Sequence, residues 1–301
     1  MIPAMDRPRR PGILLTTIGI LALAQCSRDR SAAPMNYGDS ALSNPRFVWD
    51  SIAPAGFTLY TNRGSYGAER ATQYRDETTA AISRALAMLG ESRFAEPLKV
   101  FVMASREDVE AVTGTGWNGW SDAAGRNLAV VAREECRPVF RHEIMHAVSL
   151  LLWGNPLGET GDPNPPKDRV AFEQGGWLRE GIAAAAEDLY GTYSYRGMAA
   201  QWQAEGALLP LDSLVYSFYR QDDLAAYLQS GSLVQYLLEQ YGSARLRDVW
   251  REGPGAFDRV YSRSFAQLES DWHAWLRATP ASARPPSIAA ARAEDRCPPR
   301  R

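Results

Sequence analysis

Over the first half of the chain, short apolar runs alternate with amphipathic stretches. Phe57-Thr58-Leu59-Tyr60 predicts a strand, and Ala68 to Leu89 carries apolar residues at helical spacing until Gly90 stops it. Leu98 to Met103 is rich in strand-forming residues, and Ser105 with Glu107 and Asp108 behind it opens a helix running to Val112. Trp117 to Ser121 and Asn127 to Ala132 predict two further strands, joined by a turn at Ala124-Gly125. From Pro138 the spacing turns helical: Val139 to Trp153, Trp177 to Tyr190, Leu211 to Tyr219, Leu224 to Tyr241 and Phe265 to Ala278. Between the first two of these, Gly154 to Gly176 holds four prolines among glycines and Asp/Asn residues, which is loop composition. The expected class is α+β: an N-terminal mixed β-sheet with helices, then an all-helical C-terminal half.

Both ends read differently. Residues 26–50 are rich in Ser, Ala, Asn, Asp and Pro with little periodicity and predict a tether. The stretch 279–301 is Pro/Ala/Arg-rich and predicts a disordered tail, leaving 51–278 as the folded domain. Ahead of the tether, Arg7, Arg9 and Arg10 precede an apolar run from Ile13 to Ala24. A basic flank before a short apolar core is the pattern of a secretory signal, here over residues 1–25. The run is too short to span a bilayer as a helix, which needs about 20 residues. Its end, Leu23-Ala24-Gln25-Cys26, resembles the lipobox of bacterial lipoproteins, although Gln25 stands where a glycine, alanine or serine is usual. That resemblance implies lipidation at Cys26, a membrane anchor and a periplasmic location. Ser27 after the cysteine gives outer-membrane sorting in a Gram-negative host. Cleavage after Ala24 without lipid, and an uncleaved anchor, are the other readings. Export makes the remaining cysteines, Cys136 and Cys297, a candidate disulfide, with two free thiols as the alternative.

Composition narrows the function. A chain of 301 residues with 45% hydrophobic content can bury a large core, and a formal net charge of -2 gives no electrostatic case for nucleic acid. No CxxC spacing occurs, so a cysteine zinc site is excluded.

The chemistry is carried by His142-Glu143-Ile144-Met145-His146. Four residues advance a helix by about 400° and about 6 Å, so both imidazoles project from one face, close enough to hold a single ion. Glu143 lies beside them, where its carboxylate can take a proton from an activated water. The flanking Val139, Phe140, Ile144, Val148 and Leu151 form a broad apolar side for the core. Two helical histidines on a solvated face are the simpler alternative, but the chain has only three histidines and two of them are here. The third, His273 in Asp271-Trp272-His273, has no partner motif and reads as a packing or surface residue. Ser149 and Leu152 stand where a metzincin would continue with glycine and histidine, so a third ligand must be acidic and come from elsewhere. Glu173 and Glu180 are the candidates.

Around Glu180 the sequence reads Trp177-Leu178-Arg179-Glu180-Gly181-Ile182-Ala183, with Glu187 behind it. With the HExxH motif upstream, this resembles the gluzincins, specifically the peptidase-MA-like group related to aminopeptidase N. Tyr227-x-Gln229-x-x-Ser232, Leu237-x-x-x-Tyr241-Gly242 and Leu268-x-x-Asp271-Trp272 extend the likeness more loosely over residues 55–278. The resemblance implies a zincin-like fold with the active site between its halves, and one zinc per chain held by His142, His146 and Glu180. It also implies that Glu187 orients a ligand histidine from behind and that Tyr227 donates to the oxyanion. Helical geometry agrees in one respect: Glu180 and Glu187 lie two turns apart, about 10.5 Å, and cannot both ligate one ion. Asp188 competes with Glu187, and a solvated carboxylate is the alternative for both.

The implied activity is zinc-dependent hydrolysis of a peptide or protein substrate. The strand Asn127 to Val131 lies where zincins carry a substrate-pairing edge strand, with Trp117 and Trp120 as candidates for the cleft floor. Aminopeptidases of the group place a G-x-M-E-N motif here, whereas Gly125-Arg126-Asn127-Leu128-Ala129 lacks its glutamate. An endopeptidase is therefore expected. A catalytically degenerate envelope protein that uses the fold as a zinc-binding module is the competing class, and intact Glu143 argues against it.

Overall fold

The run Leu98 to Met103 becomes the centre of a sheet because both of its faces are covered. The computed structural model describes residues 37–95, 97–122, 126–135, 138–158 and 169–293. Its elements begin with α1 (Tyr37–Ser43), β1 (Trp49–Ile52), β2 (Phe57–Asn62), α2 (Tyr66–Glu69), α3 (Ala71–Leu89), β3 (Leu98–Met103), α4 (Arg106–Thr113), β4 (Gly119–Ser121) and β5 (Asn127–Val131). The strands form one mixed sheet in the order β1-β2-β3-β5-β4. β2, β3 and β5 are parallel, while β1 and β4 close the two edges antiparallel. Phe57, Leu59, Val100, Val102, Leu128 and Val130 face the main core, against Tyr74, Ala81 and Ala85 of α3. Phe101, Met103, Ala129 and Val131 face the other way, against Ala41 of α1, Phe47, and Val109 and Val112 of α4. A strand buried on both sides loses polar alternation, which is why β3 and β5 read as almost unbroken apolar runs.

Local signals set the helix ends. Ser105 caps α4 by accepting from the Asp108 amide at 3.2 Å, and Gly114 ends it at φ 78°. Gly90 ends α3 at φ 70°, a backbone position that costs a side chain more than glycine.

The second half is helical: α5 (Phe140–Trp153), α6 (Arg169–Glu187), α7 (Tyr195–Ala204), α8 (Leu211–Tyr216), α9 (Asp223–Glu252), α10 (Phe257–Tyr261), α11 (Phe265–Arg277) and α12 (Ile288–Arg292). A small hairpin, β6 (Leu189–Tyr190) with β7 (Tyr193–Ser194), links α6 to α7. α6 and α9 cross closely. A Cβ on Gly181 would lie 3.0 Å from the Ser230 carbonyl oxygen, and one on Gly231 would lie 2.9 Å from the Ala184 methyl. α9 is two helical segments, broken at Gly242 with φ 79° and ψ 168°. Trp272 of α11 is fully buried and its indole donates to Ser232 Oγ of α9 at 3.1 Å. Trp177, Trp202 and Trp250 are also buried, so these tryptophans serve the core.

Three expectations are corrected. From Tyr37 onward the supposed tether belongs to the folded unit: α1 packs with Ala41 fully buried, the Trp49 indole donates to the Ala41 carbonyl at 2.9 Å, and β1 is a sheet edge. The loop expected as far as Gly176 stops sooner, because α6 starts at Arg169 and carries Gly175 and Gly176 inside it. The tail is ordered through residue 293. Ile288–Arg292 forms α12, capped by Ser287, its Ala291 is fully buried, and Arg292 pairs with Asp222 at 2.8 Å. Alanines bury readily, and their lack of turn signals hid this helix. The signal segment, the Ala124-Gly125 turn, Cys26, Cys136 and Cys297 lie outside the described residues. No described helix is long and apolar enough to cross a membrane.

Candidate metal centre

α5 is pinned by its apolar side. Ile144, Met145, Ala147 and Val148 are fully buried, and Phe140 packs on Tyr74 of α3 with ring centroids 5.3 Å apart. That seating turns His142 and His146 toward α6, whose Trp177, Leu178 and Ile182 are likewise fully buried. Arg84 of α3 fastens the far end of α6, donating to the Ala186 carbonyl at 2.7 Å and pairing with Asp188 at 3.4 Å. Cations are favoured at a helix C-terminus, so this contact fixes the helix that carries Glu180 and Glu187.

Three donor atoms converge between these helices. His142 Nε2 and His146 Nε2 lie 3.1 Å apart, and Glu180 Oε2 lies 3.3 Å from the second and 3.6 Å from the first. Among the described residues, His142, His146 and Glu180 are the group whose donor atoms are close enough to share an ion. A tetrahedral zinc with bonds of about 2.0–2.1 Å sets its ligand atoms about 3.3 Å apart. The observed edges match that spacing, and two imidazoles with one carboxylate are a usual zinc donor set. Burial works against the Glu180 carboxylate, yet His146 and His142 beside it hold its pKa well below the ordinary range. The side chain of the rival ligand, Glu173, lies outside the described residues.

Glu143 sits next to the trio and is buried. Burial pushes its carboxyl up to about 8, opposed by His142 and reinforced by Glu180 and Glu187. Glu187 Oε2 lies 3.9 Å from His142 Nδ1, on the outer side of the ring and beyond direct hydrogen-bond length. Asp188, its competitor, turns away at φ 73° to meet Arg84 and to accept from Gln235. Tyr227 of α9 stacks over His142 with centroids 6.2 Å apart at 23°, and burial raises its phenol well above the ordinary tyrosine range. His273 stays apart on α11, beside Trp272.

The edge strand is not where the resemblance implied. β5, the stretch Asn127 to Val131, is buried between β3 and β4, and β4 is the edge. Trp117 is exposed, whereas Trp120 packs on Tyr37 at 4.3 Å on the far face of the sheet, which removes it from a cleft floor.

Two residues escaped sequence reasoning. Gly119 of β4 lies directly against the Glu143 carboxylate: a Cβ there would fall 2.8 Å from Glu143 Cδ and 2.6 Å from Val139 Cγ2. A glycine inside a predicted strand was the available signal, since it often marks a close backbone approach. Tyr219, just after α8, donates to Glu180 Oε1 at 3.4 Å. Nothing in the spacing around Tyr219 announces this contact.

No protein-family model matches the chain, and no curated protein does. Among solved structures, it is similar to an aminopeptidase N family protein from Idiomarina loihiensis, at 14% sequence identity and a TM-score of 0.36. The match covers 78% of this chain and 44% of that one, so the chain spans less than half the length of its structural neighbour.

Proposed function

We propose that this chain is a zinc-dependent peptidase. The observation that carries the reading is the triangle of His142, His146 and Glu180 donor atoms, with edges of 3.1 to 3.6 Å, set beside a buried carboxylate. When bound, zinc would supply Lewis acidity that lowers the pKa of water and polarises a carbonyl. The chain's own residues do the rest. Glu143 accepts the proton of the attacking water and returns it to the leaving amine. Its raised pKa without metal reflects burial, which a cation at the neighbouring ligands would counter. Tyr227 donates its phenolic proton to the developing oxyanion, from a ring held in place against His142 and Phe218. Glu187, on the Nδ1 side of His142, favours the tautomer that leaves Nε2 free to ligate.

Substrate binding follows from β4. The Asn118 carbonyl accepts from the Val131 amide, and the Asp122 amide donates to the Asn127 carbonyl. That phase turns the backbone of Gly119 and Ser121 away from β5, toward the open side of the edge strand. An extended peptide added there would pass directly over Glu143. Strand addition engages the middle of a chain, in keeping with an endopeptidase. Export and a lipid on Cys26 complete the proposal, resting on the N-terminal sequence.

The test is Glu143→Gln, assayed with casein and quenched peptides. The variant is expected to fold and hold zinc while losing hydrolysis, because an amide cannot accept the proton. Wild-type turnover in that variant would remove Glu143 from its role. A wild-type chain that binds zinc and cleaves nothing would favour a binding module.

A further inference from the structure

We infer that Tyr219 is a positioning residue for the metal centre, holding Glu180 so that it offers a single oxygen. The inference rests on the zinc reading above. Glu180 divides its two oxygens: Oε2 faces both ring nitrogens, and Oε1 turns to the Tyr219 hydroxyl at 3.4 Å. The direction of that hydroxyl is set from behind. Arg179 Nη1 donates to the Tyr219 oxygen at 3.2 Å. A guanidinium has only donors, so the tyrosine must accept there and spend its own proton on Oε1.

The ring has a built seat. It lies over Gly176, one helical turn before Glu180, where a Cβ would fall 2.7 Å from Tyr219 Cε2 and 3.1 Å from Cζ. Phe218 meets it edge-on, with centroids 5.0 Å apart at 88°, and is itself buried against Tyr227. This accounts for a glycine that the sequence pattern assigned to a loop. It also separates the two tyrosines. Tyr227 stacks over His142 and is the one assigned to substrate, whereas Tyr219 meets Glu180 and can keep its hold throughout. A carboxylate restrained to one oxygen leaves coordination positions open for water and substrate; one that swings to chelate with both would occupy one of them.

Tyr219→Phe keeps the ring and removes only the hydroxyl, so packing alone predicts no effect on metal. Zinc dissociation constants from chelator competition, and visible spectra of the cobalt-loaded protein, are the readouts. The expected result is zinc affinity weakened about 10-fold, the lower end of what an outer partner of a ligand contributes. The cobalt bands should lose intensity as the coordination number rises. Gly176→Ala, which improves helix propensity but crowds the ring, is expected to change both readouts in the same direction. If the wild-type chain loads cobalt and both variants match its affinity and spectrum, Tyr219 has no positioning role. A wild-type chain that binds neither metal overturns the zinc reading and this inference together.

Discussion

Gly119 gives the sharpest mutational test, because the perturbation is a single methyl group. Its φ is not positive, so alanine is conformationally acceptable and the effect is steric. The added Cβ would lie 2.6 Å from Val139 Cγ2 and 2.8 Å from Glu143 Cδ, where ordinary contact begins at 3.4 Å. The contacts fall short by about 0.6 to 0.8 Å, so something must move by at least about 0.8 Å, since interiors are close-packed. α5 cannot, because Phe140, Ile144 and Val148 lock it into the core. The Glu143 carboxylate is the part free to turn, and it is the proposed base. A misplacement approaching 1 Å costs on the order of 100-fold in rate, equivalent to about 2.7 kcal/mol of transition-state stabilisation. Overpacking should also lower stability by about 1–3 kcal/mol. The assay is steady-state cleavage of a quenched peptide, with zinc content and urea denaturation measured in parallel. The expected outcome is kcat down about 100-fold with zinc retained. A folded, zinc-loaded Gly119→Ala protein with kcat within about threefold of wild type would refute the reasoning.

Tyr227→Phe should keep zinc and lower kcat about 100-fold, as removal of an oxyanion donor does, measured in the same cleavage assay. Trp272→Phe removes the buried bond to Ser232 Oγ and strands that hydroxyl, so denaturant unfolding should show a loss of about 1–3 kcal/mol with metal binding unchanged. Cys26→Ala should abolish palmitate labelling and move the protein out of the detergent phase; labelling that persists would exclude Cys26 as the anchor.

What the sequence disclosed follows from where its signals were local. β3 was legible to the residue because both its faces are buried, and α4 because Ser105 and Gly114 mark its ends. The His142–His146 pair was legible because helical spacing alone brings it together. Glycine misled where its role was tertiary. Gly175 and Gly176 looked like loop punctuation, but they lie within α6, where Gly176 makes room for Tyr219 and Gly175 approaches Pro156. α7 went unread although Tyr195, Met198 and Trp202 fall on one buried helical face, because the glycine and tyrosines of the hairpin before it obscured its start. The contacts of Gly119 with Glu143 and of Tyr219 with Glu180 join segments distant in sequence, and no local pattern encodes them.

The central claim is the metal centre, and elemental analysis of purified protein tests it most directly. After chelation and reconstitution, wild-type protein is predicted to hold about one zinc per chain, and His146→Ala and Glu180→Ala to lose most of it while staying folded. Zinc absent from the wild type, or retained unchanged in both variants, would contradict the account.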